Sequence, residues 1–172
     1  MGDFKIRPAV ADDCVHILGF VKKLAEYEKM ADKVHLDLET FKEDGFGKDH
    51  APRFYCLVAE NCADKSIMGY SLYFHSYSTF DGKSIYMEDI FVDPDHRKKG
   101  VATALLSHLC KFATENGFHR IDFAILKWND LSINFHTSFG AVNISQAEDW
   151  EVYRLNAQAI KKGAAKASSL SS

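Results

Sequence analysis

The amino-acid sequence predicts a single α/β layer fold with a mixed sheet, and three observations favour it. Short strand-like segments dominate the first half, at residues 54–60, 67–75 and 84–92, with turn chemistry between them. A strongly helical pattern follows after residue 100, and the rest of the chain alternates strand and helix. Strands joined by short turns, followed by strand and helix in alternation, are typical of an α/β fold whose sheet is mixed.

The first half also carries two predicted helices. After a strand at 4–7, Asp12 or Asp13 can cap a helix, and a second helix is predicted over 38–46, ending in the Gly-rich run 44–47. The first helix is read from apolar residues spaced by three and four positions: Cys14, Ile17, Leu18, Val21, Leu24 and Ala25.

The clearest helix of the sequence opens the second half. Gly117 closes it, and a short strand is predicted at 121–126. Its apolar face has a regular helical spacing over Val101, Ala104, Leu105, His108, Leu109 and Phe112.

The last two predicted elements are a helix and a strand. Asn129 or Asp130 can cap a helix over 131–139, which Gly140 ends, and a strand covers 151–155.

The chain of 172 residues is 47% hydrophobic and 26% charged, a composition typical of one globular domain. We therefore assign residues 1–157 to a single domain. Residues 158–172 are rich in Ala, Lys and Ser and lack aromatics, which predicts a disordered tail.

The composition also disfavours several classes of protein. A net charge of −3 supplies no general attraction for nucleic acid or an anionic membrane. Residues 1–8 are charged and contain no long apolar run, so we expect neither a signal peptide nor a membrane span. The four cysteines are widely spaced and the eight histidines form no HExxH or CxxC-linked pattern. We expect a cytoplasmic protein with reduced thiols and no metal.

A basic turn, residues 96–102, lies between the strand ending at Val92 and the strong helix. Backbone N–H groups at such a turn have no partners within the helix, and the helix dipole adds positive character, so the turn can hold a pyrophosphate. A solvated basic loop explains the Arg-Lys-Lys run equally well. Neither GxGxxG nor GxxxxGK[ST] occurs, which argues against a Rossmann dinucleotide site or an NTPase loop.

Glu88 and Asp89 lie in the middle of an otherwise apolar strand. Because neighbouring strand residues face opposite sides of a sheet, at least one of the two carboxylates should face a covered side or a cleft. Burying an unpaired carboxylate is costly, so the pair suggests a function. The alternative is an exposed edge strand or a salt bridge to a lysine.

The motif Arg97-x-x-Gly100-x-Ala102, in its strand–turn–helix setting, resembles the acetyl-CoA pyrophosphate motif of the GNAT acetyltransferases. The likeness extends from Phe4 to about Leu155 and is greatest to the spermidine/spermine (diamine) and thialysine acetyltransferase branch. Further runs that carry it are Ile6-Arg7-Pro8-Ala9, Leu24-Ala25-Glu26-Tyr27-Glu28, Asp44-Gly45-Phe46-Gly47, Cys56-Leu57-Val58-Ala59-Glu60, Glu88-Asp89-Ile90-Phe91-Val92, Trp128-Asn129 and Phe139-Gly140-Ala141.

The resemblance implies a GNAT fold: a mixed, mostly antiparallel sheet with a splayed pair of parallel strands and helices on both faces. It also implies acetyl-CoA as co-substrate and a homodimer. The cofactor contacts that it implies are Ile90, Phe91, Val92, Arg97, Lys98, Lys99, Gly100, Val101, Ala102, Thr103, Asn129, Asp130, Leu131, Ser132 and Phe139.

The substrate that the resemblance implies is a small cationic amine. Glu88 is expected to remove its proton through water, since only ~0.04% of a lysine-like ammonium is neutral at pH 7. The substrate contacts implied are Tyr27, Glu28, Glu88, Asp89, Glu148 and Trp150. We expect a polyamine such as spermidine or spermine; the alternatives are thialysine or a lysine-like amino acid, a protein amine, or a non-catalytic acyl-CoA-binding module.

His136 departs from the family pattern, because the diamine branch has a tyrosine here, proposed to protonate the leaving thiolate. A histidine can supply that proton chemically. The alternative is a helix-face histidine that only packs or meets solvent.

Overall fold

The computed structural model describes residues 3–170 of the chain, so the last two positions of the predicted tail lie outside the described residues. The chain divides into two compact units, Met1–Leu126 and Lys127–Ser172. The first unit contains β1 Phe4–Pro8, α1 Cys14–Tyr27, α2 Leu38–Phe46, β2 Tyr55–Asn61, β3 Ile67–Ser78, β4 Gly82–Val92, α3 Val101–Glu115 and β5 Arg120–Asp122. The second contains α4 Asp130–Thr137, α5 Ile144–Ala147 and α6 Ala157–Leu170.

The sheet has the order β1-β2-β3-β4-β5. Its first four strands are antiparallel neighbours, and β5 runs parallel to β4. The parallel pairing covers only 84–86 against 120–122, whereas β4 continues to Val92. The two parallel strands therefore separate beyond Tyr86, and the predicted mixed sheet with a splayed pair is confirmed.

Helices cover both faces of this sheet, as predicted. Alternate residues of β2 pack on opposite sides, with Cys56 and Val58 against α1 and α2 and with Leu57 and Ala59 against α3. Burial of these faces supplies the main favourable term in folding. The α3 side of the core includes Met68, Val92, Val101 and Leu105.

Arg7 organises an ion-pair network between β1, β2 and the start of α1. It contacts Asp13 at 2.7 Å and Glu60 at 2.6 Å, and both carboxylates are buried. Asp13 stands at the predicted cap position of α1, but its side chain does not cap the helix. It binds Arg7 and accepts the Val10 N–H at 2.8 Å.

Two predicted strands differ from the structure. The strand expected at 121–126 is Arg120–Asp122, because the chain leaves β4 after three paired residues. The strand expected at 151–155 does not form, since no strand within residues 3–170 pairs with this segment. Its apolar side chains at Val152 and Tyr153 are 89% and 86% exposed.

The described part of the tail forms α6 rather than the predicted disordered segment. Ala and Lys have high helix propensity, which the absence of aromatics does not reduce. Asn156 also satisfies the start of the helix, accepting the Ala159 N–H at 2.9 Å. No helix within residues 3–170 has the length and apolar character needed to cross a membrane.

Candidate active site

A β-bulge sets the direction of the two adjacent carboxylates on β4. Leu72 of β3 pairs with Asp89 and Tyr73 pairs with Met87, so Glu88 is the extra residue. Simple alternation would put Met87 and Asp89 on the same face. The bulge instead turns Asp89 to the α1 face with Leu72 and leaves the Glu88 side chain exposed.

Asp89 accepts a hydrogen bond from a buried tyrosine on the neighbouring strand. The Tyr70 hydroxyl donates to Asp89 Oδ2 at 2.9 Å, and Tyr70 is fully buried. Burial raises the pKa of Asp89 to about 6, with further increases from the charges of Glu88 and Glu28, while the Tyr70 hydrogen bond lowers it. The site thus holds a carboxylate that ionises near neutral pH.

Glu28 brings a third carboxylate to the same region from the C-terminal end of α1. Burial raises its pKa, and its charge is close enough to affect both Asp89 and Tyr70. We call Glu28, Glu88 and Asp89 the acidic cluster. Three carboxylates in one region favour a cationic ligand, because each can pair with an ammonium group. Tyr27, beside Glu28, is 44% exposed.

The basic turn leads from β4 into α3 through left-handed backbone. Lys98 has φ 59° and Gly100 has φ 80°, a conformation that favours glycine. The first backbone bond of α3 runs from Ala104 N–H to Gly100 O at 2.9 Å. The N–H groups of Val101, Ala102 and Thr103 therefore precede the helical ladder and are available to an anion.

Arg97 is held against the end of β4. Its Nε donates to Val92 O at 3.1 Å, and its guanidinium lies 5.7 Å from the centre of the Phe91 ring. Phe91 and Val92 are themselves buried, so these two residues can offer a ligand their backbone groups rather than their side chains. Ile90 is half-buried and packs on the α3 side of the core. Lys99 donates to Asp95 O at 3.0 Å.

The second compact unit carries the remaining cofactor contacts implied by resemblance. Asn129 caps α4, its Oδ1 accepting the Ser132 N–H at 3.2 Å, so its side chain has a structural role. Asp130 and Leu131 form the first turn of α4, and both are exposed. Phe139 packs edge-on against Phe135, with ring centres 5.4 Å apart.

His136 is 3% exposed, so of the two alternatives to an acid role the solvent-facing ring is excluded and the packed ring remains. Its Nδ1 lies 2.8 Å from Ser132 O, and because a carbonyl only accepts, Nδ1 carries a proton. Burial lowers the pKa of His136. The neutral ring then has no proton on Nε2, so donation from Nε2 requires the imidazolium. That His136 protonates the leaving thiolate stays a prediction, and it requires the ring to be in its imidazolium form.

Glu148 and Trp150 lie together on the exposed surface of the second unit. The Trp150 indole N–H donates to Glu148 Oε2 at 2.9 Å. The indole N–H thus occupies one oxygen of the carboxylate, and the substrate role of both residues stays a prediction.

Sequence reasoning missed two features of this region. Tyr70 reads as core filling in an apolar strand, and only its register against β4 shows that it meets a carboxylate. Lys23 of α1 pairs with Asp93, at 2.5 Å, and so ties α1 to the segment that joins β4 to the basic turn. Lys23 lies between Val21 and Leu24 of the helical apolar stripe, but nothing in its spacing indicates a partner seventy residues away.

Comparison with known proteins identifies the family. The profile of the acetyltransferase (GNAT) family matches residues 20–141. The chain belongs to the GNAT acetyltransferase family. This GNAT chain is 35% identical over 167 residues to the thialysine N-epsilon-acetyltransferase of Bos taurus, covering 94% of this chain and 97% of that protein.

Two further comparisons extend this result. The spermidine/spermine N(1)-acetyltransferase-like protein 1 of Homo sapiens is 35% identical over 91% of this chain and 23% of its own length. Among solved structures, an integron cassette protein of Vibrio cholerae superposes with a TM-score of 0.73 at 21% identity, over 94% of this chain and 98% of that one. The structural likeness shows the shared fold.

GNAT enzymes use acetyl-CoA, and the basic turn fits its pyrophosphate. The fit rests on the N–H groups of Val101, Ala102 and Thr103 and on the positive-φ backbone at Gly100, where a side chain would be strained. Within residues 3–170 no three His, Cys, Asp or Glu side chains are grouped as metal ligands. The absence of a metal from the reaction stays a prediction.

Arg97→Glu should weaken acetyl-CoA binding at least tenfold. Losing a charge-assisted contact costs about 1.5–3 kcal/mol, and repulsion from phosphate adds to that loss. Calorimetric titration with acetyl-CoA measures the effect. Lys111→Glu, the same charge change near the other end of α3, should leave the affinity unchanged. Equal affinity of folded Arg97→Glu and wild type would remove the basic turn from the cofactor site.

Proposed function

We propose that this acetyltransferase transfers the acetyl group of acetyl-CoA to the side-chain amine of thialysine or a similar lysine-like amino acid. The acidic cluster at the end of α1 and the β4 bulge carries the proposal, because it suits an ammonium-bearing acceptor. The thialysine acetyltransferases at 35% identity support the choice of acceptor over nearly the whole chain.

The acidic cluster has a distinct task for each member. Glu28 and Asp89 attract and orient the ammonium group of the acceptor. Glu88, exposed at the bulge, accepts the proton that the amine must lose before it can attack, either directly or through a water molecule. Acetyl-CoA would supply the acetyl group: the amine forms the amide C–N bond, the thioester C–S bond breaks, and the coenzyme A thiolate leaves. The lysine-like pKa of about 10.4 makes proton removal the demanding step at neutral pH.

A polyamine is the second candidate acceptor, and the sequence analysis placed it first. The human spermidine/spermine relative supports it, and three carboxylates also suit a ligand with several ammonium groups. The two acceptors differ in the α-carboxylate that thialysine carries and a polyamine lacks.

A panel assay of kcat/KM distinguishes the candidates. Thiol release from acetyl-CoA is measured with thialysine, lysine, ornithine, putrescine, spermidine and spermine as acceptors. We expect the highest kcat/KM with thialysine. A higher kcat/KM with spermidine or spermine would show that the acceptor is a polyamine. No turnover with any amine would favour a non-catalytic acyl-CoA-binding module.

We further propose that the enzyme is a homodimer, as the GNAT resemblance implies. The exposed apolar side chains at Val152, Tyr153 and Leu155 are compatible with burial in an assembly. Sedimentation velocity tests the proposal, and a purely monomeric species at assay concentration would refute it.

A further inference from the structure

The Tyr70–Asp89 contact lies inside the core yet touches the acidic cluster. Tyr70 is on β3, is fully buried, and stacks on Phe20 of α1 with ring centres 6.3 Å apart and planes 5° from parallel. Phe20 in turn packs on Phe91 of β4, with ring centres 5.6 Å apart. Complete burial and stacking on Phe20, which Phe91 supports in turn, therefore fix the direction of the Tyr70 hydroxyl.

This fixed hydroxyl constrains one oxygen of the carboxylate. It donates to Asp89 Oδ2 at 2.9 Å, while Asp89 Oδ1 accepts no hydrogen bond from the described residues. Removing either partner would leave a buried polar group without its hydrogen bond, which costs free energy. The Tyr70 hydroxyl and the Asp89 carboxylate are therefore held in this one arrangement. The free oxygen belongs to the carboxylate that the β4 bulge turns toward α1 and Glu28.

We propose that Tyr70 is a positioning residue: its buried hydroxyl fixes Oδ2 of Asp89 and thereby presents an ionised, oriented carboxylate to the ammonium group of the acceptor. The inference rests on the proposed function, since it assumes a cationic acceptor at the acidic cluster. Tyr70 acts only through Asp89 and does not itself contact the acceptor.

The electrostatic surroundings make this role measurable. The titratable groups that influence Asp89 or are influenced by it are Glu28 on α1, Glu88 on β4, Cys56 on β2 and Tyr70 on β3. Burial and both glutamates raise the pKa of Asp89, whereas the Tyr70 hydrogen bond opposes them. Removing the hydroxyl should raise the pKa of Asp89 further above its value of about 6. The ionised carboxylate is then lost at a higher pH.

Tyr70→Phe is the direct test, because it removes the hydroxyl and keeps the ring. We expect the acid limb of the kcat/KM profile for the acceptor to move upward by about one pH unit, with KM affected more than kcat. Acetyl-CoA affinity should not change. In an Asp89→Asn background, Tyr70→Phe should add little further loss, since the two changes remove one interaction. Additive losses would overturn the proposal.

Tyr73→Phe is the matched control. Tyr73 is also a buried tyrosine of β3, but its ring packs on the α3 side beside Phe112. No carboxylate within the described residues accepts its hydroxyl. Its variant should show the wild-type acid limb. If the acid limb of the kcat/KM profile lies at the same pH in wild type and in folded Tyr70→Phe, the proposal is also overturned.

A second substitution covers poor folding of Tyr70→Phe. Site-specific 3-fluorotyrosine at position 70 nearly preserves shape but gives a more acidic, stronger donor, so the acid limb should move downward. The profiles use whichever amine the panel identifies, so failure of thialysine as acceptor leaves this test intact. A ¹³C titration of the Asp89 carboxyl gives a readout without turnover: an unchanged midpoint in the fluorinated protein would refute the role of Tyr70.

Discussion

Replacing Glu88 by Gln should lower kcat about 100-fold at pH 7 while leaving acetyl-CoA affinity unchanged. Positioned general bases contribute roughly 10²–10⁴-fold, and the amide keeps the size of the side chain but cannot accept the proton. Because Glu88 is exposed at the bulge, the substitution leaves the core intact and should not alter thermal stability. Steady-state kinetics with the best acceptor of the panel measures the effect.

The pH dependence distinguishes loss of a base from loss of binding. The neutral fraction of an amine with a pKa near 10.4 rises about tenfold per pH unit, so the deficit of Glu88→Gln should shrink as pH increases toward 9. Glu39→Gln, an exposed glutamate in the first turn of α2, should behave as wild type. Wild-type kcat for Glu88→Gln at pH 7 would show that Glu88 is not the base.

Arg7→Met should cause a substantial loss of stability. The substitution leaves the buried Asp13 carboxylate without its cation and also removes a partner of Glu60. Breaking a buried ion pair costs about 3–5 kcal/mol, and we expect roughly 2–3 because Arg7 is 24% exposed. Urea unfolding at pH 7 measures the difference.

The pH dependence of that difference follows from the pKa values of the two carboxylates. In the folded chain Arg7 helps hold the pKa of Asp13 and that of Glu60 below their ordinary values. The stabilisation is therefore fully present above the unfolded-state pKa values of about 4 and is lost as pH falls through the lower folded-state values. The difference in the free energy of unfolding between wild type and Arg7→Met should therefore disappear in that acidic range.

Arg120→Met provides the comparison for Arg7→Met. Arg120 also pairs with two carboxylates, Asp81 and Asp122, but all three side chains are substantially exposed. Exposed pairs contribute about 0–1 kcal/mol. A loss for Arg7→Met no larger than that for Arg120→Met would contradict the structural role of the buried network.

The sequence predicts the first unit well because its patterns are local. Spacing of apolar residues locates α1 and α3, and α2 has the bounds 38–46 that were predicted. In the second unit, capping chemistry likewise identifies α4 through Asn129. Apolar spacing and helix capping both involve residues within a few positions along the chain. They can therefore be recognised without knowing which distant segments pack together.

The remaining features depend on partners that are remote in sequence. The segment 151–155 has strand-like composition, but a strand requires a ladder partner, which the sequence does not specify. The bulge at Glu88 arises from the register of β3 against β4, and alternation alone gives Asp89 the wrong face. Burial of His136, which lowers its pKa, is likewise a tertiary effect that its helical position does not reveal.

The most direct measurement is transfer of label from [¹³C]acetyl-CoA to a panel of amines, followed by NMR and mass spectrometry of the products. We predict a single ¹³C-labelled amide on the side-chain nitrogen of thialysine, formed by wild type and reduced about 100-fold in Glu88→Gln. Absence of label on every amine, or equal labelling by wild type and Glu88→Gln, would contradict an acetyltransferase site built around the acidic cluster.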